Sequence, residues 1–238
     1  MDGTAGTGEG VVVDAATVVL VRPHGGPDGA DGANGAGGGA VECLMLRKNA
    51  GQAFGGMWVF PGGRVEPVDG DGLEGARRAA VREAEEETGL VLPVDGLVPF
   101  AHWMPPPEAP RRFATWFFLA ALPDGASDVV VDGGEIGDQM WTTAPGALDR
   151  HRAGEIDLAP PTWMTLRWLS AAATVDAALA TARAGEVERF VTHMADDDGV
   201  LVAMWADDAG YGARDPGLPG PRHRLRMTPG GWTYERRG

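Results

Sequence analysis

The residues with the most chemistry to offer lie in one short run, Arg82-Glu83-Ala84-Glu85-Glu86-Glu87-Thr88-Gly89-Leu90. On a helix, Glu83, Glu86 and Glu87 stand at i, i+3 and i+4 and share a face, while Glu85 points away. Like charges so placed repel by about 0.2–0.5 kcal/mol per pair when nothing neutralises them. A solvated acidic face would intersperse cations of alternating sign. Here Arg77, Arg78 and Arg82 all precede the cluster, and only one of them is placed to reach it. A hard divalent cation, Mg2+ or Mn2+, would relieve the repulsion through carboxylate and water oxygens and would take substrate phosphates as further ligands. On the residues alone, the cluster reads equally as such a metal site or as a solvated face. Nucleophilic catalysis through Ser/His/Asp or Cys/His finds no support, because the single cysteine, Cys43, falls in an apolar strand run where a thiol is inert.

The elements that must carry this cluster are legible around it. Asp71–Gly89 reads as a helix, with Asp71 and Glu74 in a capping-box pattern and Gly89 as a C-terminal stop. Ala76, Ala80 and Ala84 form a row of small residues that lets the helix press closely on a sheet. Val11–Arg22, Val41–Arg47 and Arg112–Leu122 read as strands and Val129–Val131 as a short one. Pro161–Arg183 reads as one long helix with proline in its first turn. Residues 23–40 are nearly all Gly, Ala, Asp and Pro, which predicts a long mobile loop without a role. A phosphate-cradling loop would need a tight strand-to-helix turn and a following Lys-Ser/Thr. Beyond residue 185 come strand runs at Arg189–His193, Val200–Trp205, His223–Met227 and Trp232–Glu235. Trp205, Trp232 and Tyr234 supply their apolar faces, so residues 186–238 are expected to form a β-hairpin extension packed on the domain of residues 1–185 or on a second copy in a homodimer.

Composition sets outer limits. With 238 residues, 44% of them hydrophobic, the chain can build one large domain or a domain with an extension. A formal charge of -14 argues against nucleic acid or an anionic membrane as partner, since phosphate attraction needs a basic surface. No secretory signal is visible at the N-terminus, and the apolar runs fall short of the ~20 residues a membrane span needs. A cytoplasmic protein is expected. Lys48 is the only lysine, which reads as a bias of the coding sequence toward arginine.

The acidic run also stands in a longer pattern. Gly62-Gly63 precedes it after the apolar Met57-Trp58-Val59-Phe60-Pro61, and Glu74 lies eight residues before Arg82. Gly63, Glu74, Arg82, Glu83, Glu86, Glu87, Gly89 and Leu90 together resemble the Nudix box, G-x5-E-x7-R-E-U-x-E-E-x-G-U, where U is a bulky apolar residue. Two departures stand out. Ten residues separate Gly63 from Glu74 instead of five, which fits a lengthened loop within Glu66–Gly72, and Ala84 replaces a larger apolar residue.

The resemblance implies an α/β fold of the Nudix type, an α/β/α sandwich with a mixed sheet, carrying the C-terminal β-rich extension. It implies that Glu86 and Glu87 are metal ligands and that Glu83 is a further ligand or an acceptor for metal-bound water. The Gly62 carbonyl would complete the site, Arg82 would brace the carboxylates, and Glu74 would do structural work at the loop–helix junction. The chemistry implied is hydrolysis of a phosphoanhydride in a small-molecule diphosphate, helped by Mg2+ or Mn2+. Glu135 stands six residues before Trp141, an offset at which some Nudix hydrolases carry a metal ligand or general base; the plain alternative is one more acidic loop residue. Near the substrate entrance of such a fold, Arg111 or Arg112 would clamp a phosphate and Trp103 would stack on a base, the alternative for Trp103 being a place in the core.

Within the family, the FPGG of Phe60–Gly63, the strand at 111–120 and the Pro160-Pro161-Thr162 helix start resemble the branch containing coenzyme A diphosphatases. Leu44, Arg47, Gly51 and Gln52 meet that branch's fuller signature in part. ADP-ribose-like and nucleotide-sugar diphosphates are the other substrates in view. A nucleotide-sensing module that had lost turnover would be expected to show a broken acidic triplet, and here the triplet is intact.

Overall fold

Strands that read as unbroken apolar runs, such as Val18-Val19-Leu20-Val21 and Cys43-Leu44-Met45-Leu46, are buried on both faces, which is what a sheet covered on two sides requires. They belong to β1 (Val12–Pro23) and β2 (Val41–Lys48) of a computed structural model that describes residues 11–25, 41–51, 53–126, 128–131 and 133–238. The glycine-rich connection read as a mobile loop falls, from residue 26 to residue 40, outside the described residues, and so does Gln52.

The chain forms two compact units. The larger comprises Ala15–His102 and Trp116–Glu188. After β2 come β3 (Trp58–Val59), β4 (Gly62–Arg64), α1 (Gly72–Thr88), β5 (Val98–Met104), β6 (Arg112–Ala121) and β7 (Ile136–Thr143). The helices α2 (Ala144–Arg152), α3 (Pro160–Leu169) and α4 (Val175–Ala184) follow. The sheet of this unit runs β3-β2-β1-β6-β5, with β4 also paired to β1 and β7 to β2. The architecture is the α/β/α class expected. Ala76, Ala80 and Ala84 are buried as the small-residue row requires, joined by Ala79, in one cluster with Leu44, Leu46, Phe118 and Ile136. Burial, followed by the neighbouring Glu42 charge, pushes the Cys43 thiol up to about 12, so it is inert. Among the described residues no helix is long and apolar enough to cross a membrane.

Three local expectations change. The segment read as one long helix is two, because the Thr174 hydroxyl accepts the Ala177 N–H at 3.1 Å and starts α4 afresh. Val129–Val131 makes no strand; the Val130 N–H donates instead to the Thr88 carbonyl at 2.9 Å, at the end of α1. Asp71 is the N-cap of α1 but its side chain accepts no hydrogen bond. The lengthened loop before the helix makes a 3-10 turn at Pro67–Asp69, where Asp69 accepts the Glu66 N–H at 2.9 Å.

The smaller unit comprises residues 1–14, of which 11–14 are described, with Trp103–Thr115 and Arg189–Gly238. After β8 (Glu188–Val191), strands β9 (His193–Asp197), β10 (Val200–Met204), β11 (Arg222–Thr228) and β12 (Gly231–Arg237) form an antiparallel sheet in the order β12-β11-β10-β9. Trp205 is fully buried at its centre, edge-on to both Trp103 and Phe190. The Thr192 N–H donates to Met104 O at 3.0 Å and an Arg214–Glu108 ion pair closes the far end, so the C-terminal strands are packed on the chain's own 103–115 segment.

Candidate active site

Four elements bring the candidate groups together. α1 presents Glu83, Glu86 and Glu87. β4 lays Gly62-Gly63 across that face, and the end of β2 with the start of β7 supplies Lys48 and Glu135. The contact of β4 with α1 leaves no room for side chains. A Cβ on Gly63 would fall 2.3–2.5 Å from the Glu83 carboxyl group, and one on Gly62, whose φ is +155°, would meet Ala16 O at 2.3 Å. Glycine at 63 lets the backbone touch the Glu83 carboxyl group, and glycine at 62 lets β4 lie close against β1. The Gly62 N–H donates to Glu87 Oε2 at 2.9 Å.

Two cations serve the face from opposite sides. Arg82 Nη1 donates to Glu83 Oε1 at 2.8 Å and to Glu86 Oε2 at 3.2 Å, while Nη2 bonds Asp69 Oδ2 at 2.9 Å and Arg64 O at 3.0 Å. These are contacts through which Arg82 would brace the carboxylates. Lys48 Nζ lies 2.5 Å from Glu87 Oε1 and 3.5 Å from Glu135 Oε2. Glu87 is only 5% exposed, whereas Glu86 is 59% exposed. Burial pushes the Glu87 carboxyl above the ordinary range against the pull of Lys48 and the Gly62 N–H, and burial likewise raises Glu83 against Arg82. Burial disfavours the charge on Lys48, but the charges and hydrogen bonds of Glu87 and Glu135 outweigh it and leave that ammonium above its usual value. The Asp69 hydrogen bond is the main reason Arg82 is also raised. Glu74 is exposed and pairs with Arg77 at 3.2 Å, consistent with a structural role on the first turn.

The donor set is all hard oxygen, which suits Mg2+ or Mn2+. Glu83, Glu86, Glu87 and the Gly62 carbonyl are the groups that would hold an ion. Among the described residues no three acidic, imidazole or thiol groups are drawn tightly enough together to hold one as they stand. Their oxygens are instead turned to Arg82 and Lys48.

The remaining expected residues, Trp103, Arg111 and Arg112, belong to the smaller unit. Trp103 is 4% exposed and stacked on Phe190 at 3.9 Å and 6°, so it serves that unit's core and offers no face to a base. Arg111 is exposed and Arg112 half-buried at the start of β6. Two participants escaped the sequence reading, Lys48 and Asp69. The signal for Lys48 was its being the only lysine; for Asp69 there was none beyond an acidic residue in a turn.

Residues 33–169, more than half of the chain, match the family model of the NUDIX domain. The chain belongs to the Nudix family. As a Nudix protein it is a diphosphohydrolase, and enzymes of this family generally work with a divalent metal ion. A Nudix hydrolase from Alicyclobacillus acidocaldarius is similar to it at 23% identity and a TM-score of 0.61, over 74% of this chain and 99% of that one. An Ap4A hydrolase from C. elegans overlaps more loosely, at 23% identity and a TM-score of 0.44 over 65% of this chain and 93% of that one. The NUDIX domain of Shewanella oneidensis NrtR, solved with ADP ribose, does so at 16% identity and 0.47, over 66% and 86%. The likeness to the Alicyclobacillus acidocaldarius protein shows the fold. No curated protein matches the chain.

Proposed function

We propose that this Nudix enzyme hydrolyses the phosphoanhydride bond of a nucleoside diphosphate linked to another group, with Mg2+ or Mn2+ at the α1 face. The observation that carries the reading is the close fit of Gly62-Gly63 onto Glu83 and Glu87: a side chain at Gly63 would strike the Glu83 carboxyl group, and the Gly62 N–H donates to Glu87. When bound, the ion supplies Lewis-acid chemistry to the diphosphate and to an attacking water. The chain's own groups do the rest. Arg82 fixes the orientation of Glu83 and Glu86, and the Gly62 N–H fixes Glu87. Glu135, held 3.5 Å from Lys48 at the entry to β7, is the group assigned to accept the water's proton at a carboxylate oxygen.

Coenzyme A or an acyl derivative is the first substrate to try, on the residues shared with that branch, followed by ADP-ribose and nucleotide sugars. The test is turnover of such a diphosphate panel with Mg2+ and with chelator, products identified by mass. The expected result is cleavage of at least one compound only when metal is present. No turnover of any compound would replace this reading with that of a nucleotide-binding module.

A further inference from the structure

Lys48 is the one position in the chain where an ammonium stands, every other member of the 20 Lys+Arg being arginine. It is 88% hidden by its surroundings, its side chain retaining 12% exposure, and it faces two carboxylates, Glu87 at 2.5 Å and Glu135 at 3.5 Å. The other oxygen of Glu87 already accepts the Gly62 N–H at 2.9 Å. Both oxygens of the most buried carboxylate at the α1 face are therefore engaged by the chain itself.

The backbone shows how the lysine is delivered there. The β2–β7 ladder shifts register at Lys48, leaving Gly137 of β7 without a partner, and Arg47 and Lys48, as neighbours on one strand, point to opposite faces. Arg47 pairs with the exposed Asp138, whereas Lys48 turns to α1. The Lys48 N–H donates to Met57 O at 3.2 Å and its carbonyl accepts the Gly56 N–H at 2.9 Å, so the backbone is pinned and only the four-carbon stem is left to move. The Asn49 N–H likewise pins the Glu135 carbonyl at 2.9 Å. An ammonium on a flexible stem is a compact charge with rotatable donors, and it leaves a carboxylate more readily than a planar guanidinium fork does.

We propose that Lys48 is the resident cation of the metal site: a positioning residue that tethers Glu87 to Glu135 and competes with the divalent ion for Glu87. The proposal rests on the metal-site reading above. An ion that takes Glu87 Oε1 must displace the ammonium, which stays tethered to Glu135. Two cations crowd each other until a diphosphate brings negative charge. Metal and diphosphate are therefore taken up together, and the free protein binds metal weakly.

The test uses the full chain and Mn2+ alone, by calorimetry without substrate. Lys48→Met, which keeps the apolar stem and removes the charge, is expected to bind Mn2+ at least about fivefold tighter than the wild type, the low end of coupling between two ligands of one site. Lys48→Arg, which keeps the charge in a fork that lets go less readily, is expected to bind Mn2+ no tighter than the wild type. Unchanged or weaker binding by Lys48→Met, with Mn2+ still bound by the wild type, overturns the proposal and leaves the metal site standing. No Mn2+ binding by either the wild type or Lys48→Met overturns both. A second measurement does not depend on any variant folding: 15N-lysine labelling gives a single side-chain signal in the wild type. That signal is expected to move on titration with Mg2+, with the midpoint of an Mg2+ isotherm recorded by the same calorimetry. A signal that stays fixed while Mg2+ binds overturns the proposal.

Discussion

Two carboxylate–cation clusters among the described residues are made from the same kinds of groups, and they differ in how completely the charges are matched. In the smaller unit, Asp208 and Arg224 form a closed pair. Asp208 Oδ1 accepts Arg224 Nη2 at 2.6 Å and the Gly210 N–H at 2.8 Å; Oδ2 accepts Arg224 Nε at 2.7 Å and the His223 N–H at 2.9 Å. Arg224 Nη1 goes to Pro216 O at 2.7 Å, and the two side chains are 0% and 3% exposed. Burial works to raise the Asp208 carboxyl, yet Arg224 and the two backbone N–H groups bring it down to about 2. On α1, by contrast, Glu83, Glu86, Glu87 and Glu135 share Lys48 and Arg82, and Arg82 is also committed to Asp69. There burial wins and raises Glu83 and Glu87. A saturated cluster has no valence left for a ligand and holds a fold together. An undersupplied one stays in need of another cation, which is what a metal site requires.

The comparison breaks first, and most heavily, at the saturated cluster. Asp208→Asn leaves Arg224 buried without its carboxylate, and removing one partner of a buried pair costs about 3–5 kcal/mol. Urea unfolding followed by tryptophan fluorescence is expected to show that loss, with Mn2+ affinity unchanged. A loss below ~1 kcal/mol would mean that the pair is not structural. The same pair sets acid sensitivity. Its folded pKa of about 2 lies below the unfolded value, so its stabilisation is present above pH ~4 and is lost as the pH falls toward 2, amounting to roughly 2 kcal/mol. The stability–pH curve of Asp208→Asn is expected to be flatter across that window.

At the undersupplied cluster the loss should fall on rate. Glu86→Gln and Glu87→Gln are each expected to lower kcat by at least ~10²-fold, the usual cost of one electrostatic stabiliser. Glu86 is exposed beside like charges, so its variant should be as stable as the wild type or slightly more so. Glu87 is buried and holds Lys48, so its variant should also lose some stability. Near-normal rates in both variants would remove the metal ligands from α1. Gly63→Ala is a milder probe. Its Cβ would force the Glu83 carboxylate, 2.3–2.5 Å away, to move, and displacement of this order is expected to cost roughly tenfold in kcat/KM with the fold intact.

How much of this was legible follows from how each residue reaches the site. Glu83, Glu86 and Glu87 share one helix, whose period is fixed, so their spacing alone placed them on one face. Gly62-Gly63 came with the Nudix resemblance. Lys48 arrives from a strand, and Glu135 from the far side of an irregular ladder with it, and no local pattern encodes that register. The oddity of a single lysine was visible and was read as coding bias. Trp103 beside prolines and arginines looked like a ligand platform because Phe190, its stacking partner, lies far along the chain. The break between α3 and α4 was masked by Ala171-Ala172-Ala173, good helix formers, although Thr174 carried a capping signal. Val129–Val131 has strand-like residue types but finds its backbone partner at a helix end.

The smallest effect is expected at a third group of charges, at the mouth of the β1–β2 pair. Arg22 Nε lies 2.9 Å from Glu42 and the guanidinium sits 4.2 Å over the Trp141 ring, with His24 on the other Glu42 oxygen at 3.2 Å. The group is partly exposed, and such surface pairs are worth about 0–1 kcal/mol. The strands are already in register here, Val21 with Cys43, Arg22 with Glu42 and Pro23 with Val41. Their pairing therefore needs nothing from the glycine-rich stretch between them. Removing residues 26–38 shortens the connection, and because closure entropy varies only with the logarithm of length, stability should hold or rise by less than ~1 kcal/mol. Activity and Mn2+ affinity should stay near wild type, since no group of the α1 cluster lies in the deleted stretch. A strong rise in KM for the diphosphate, with Mn2+ binding intact, would show that the stretch contacts substrate. The division between a saturated structural cluster and an undersupplied catalytic one would then leave out part of the site.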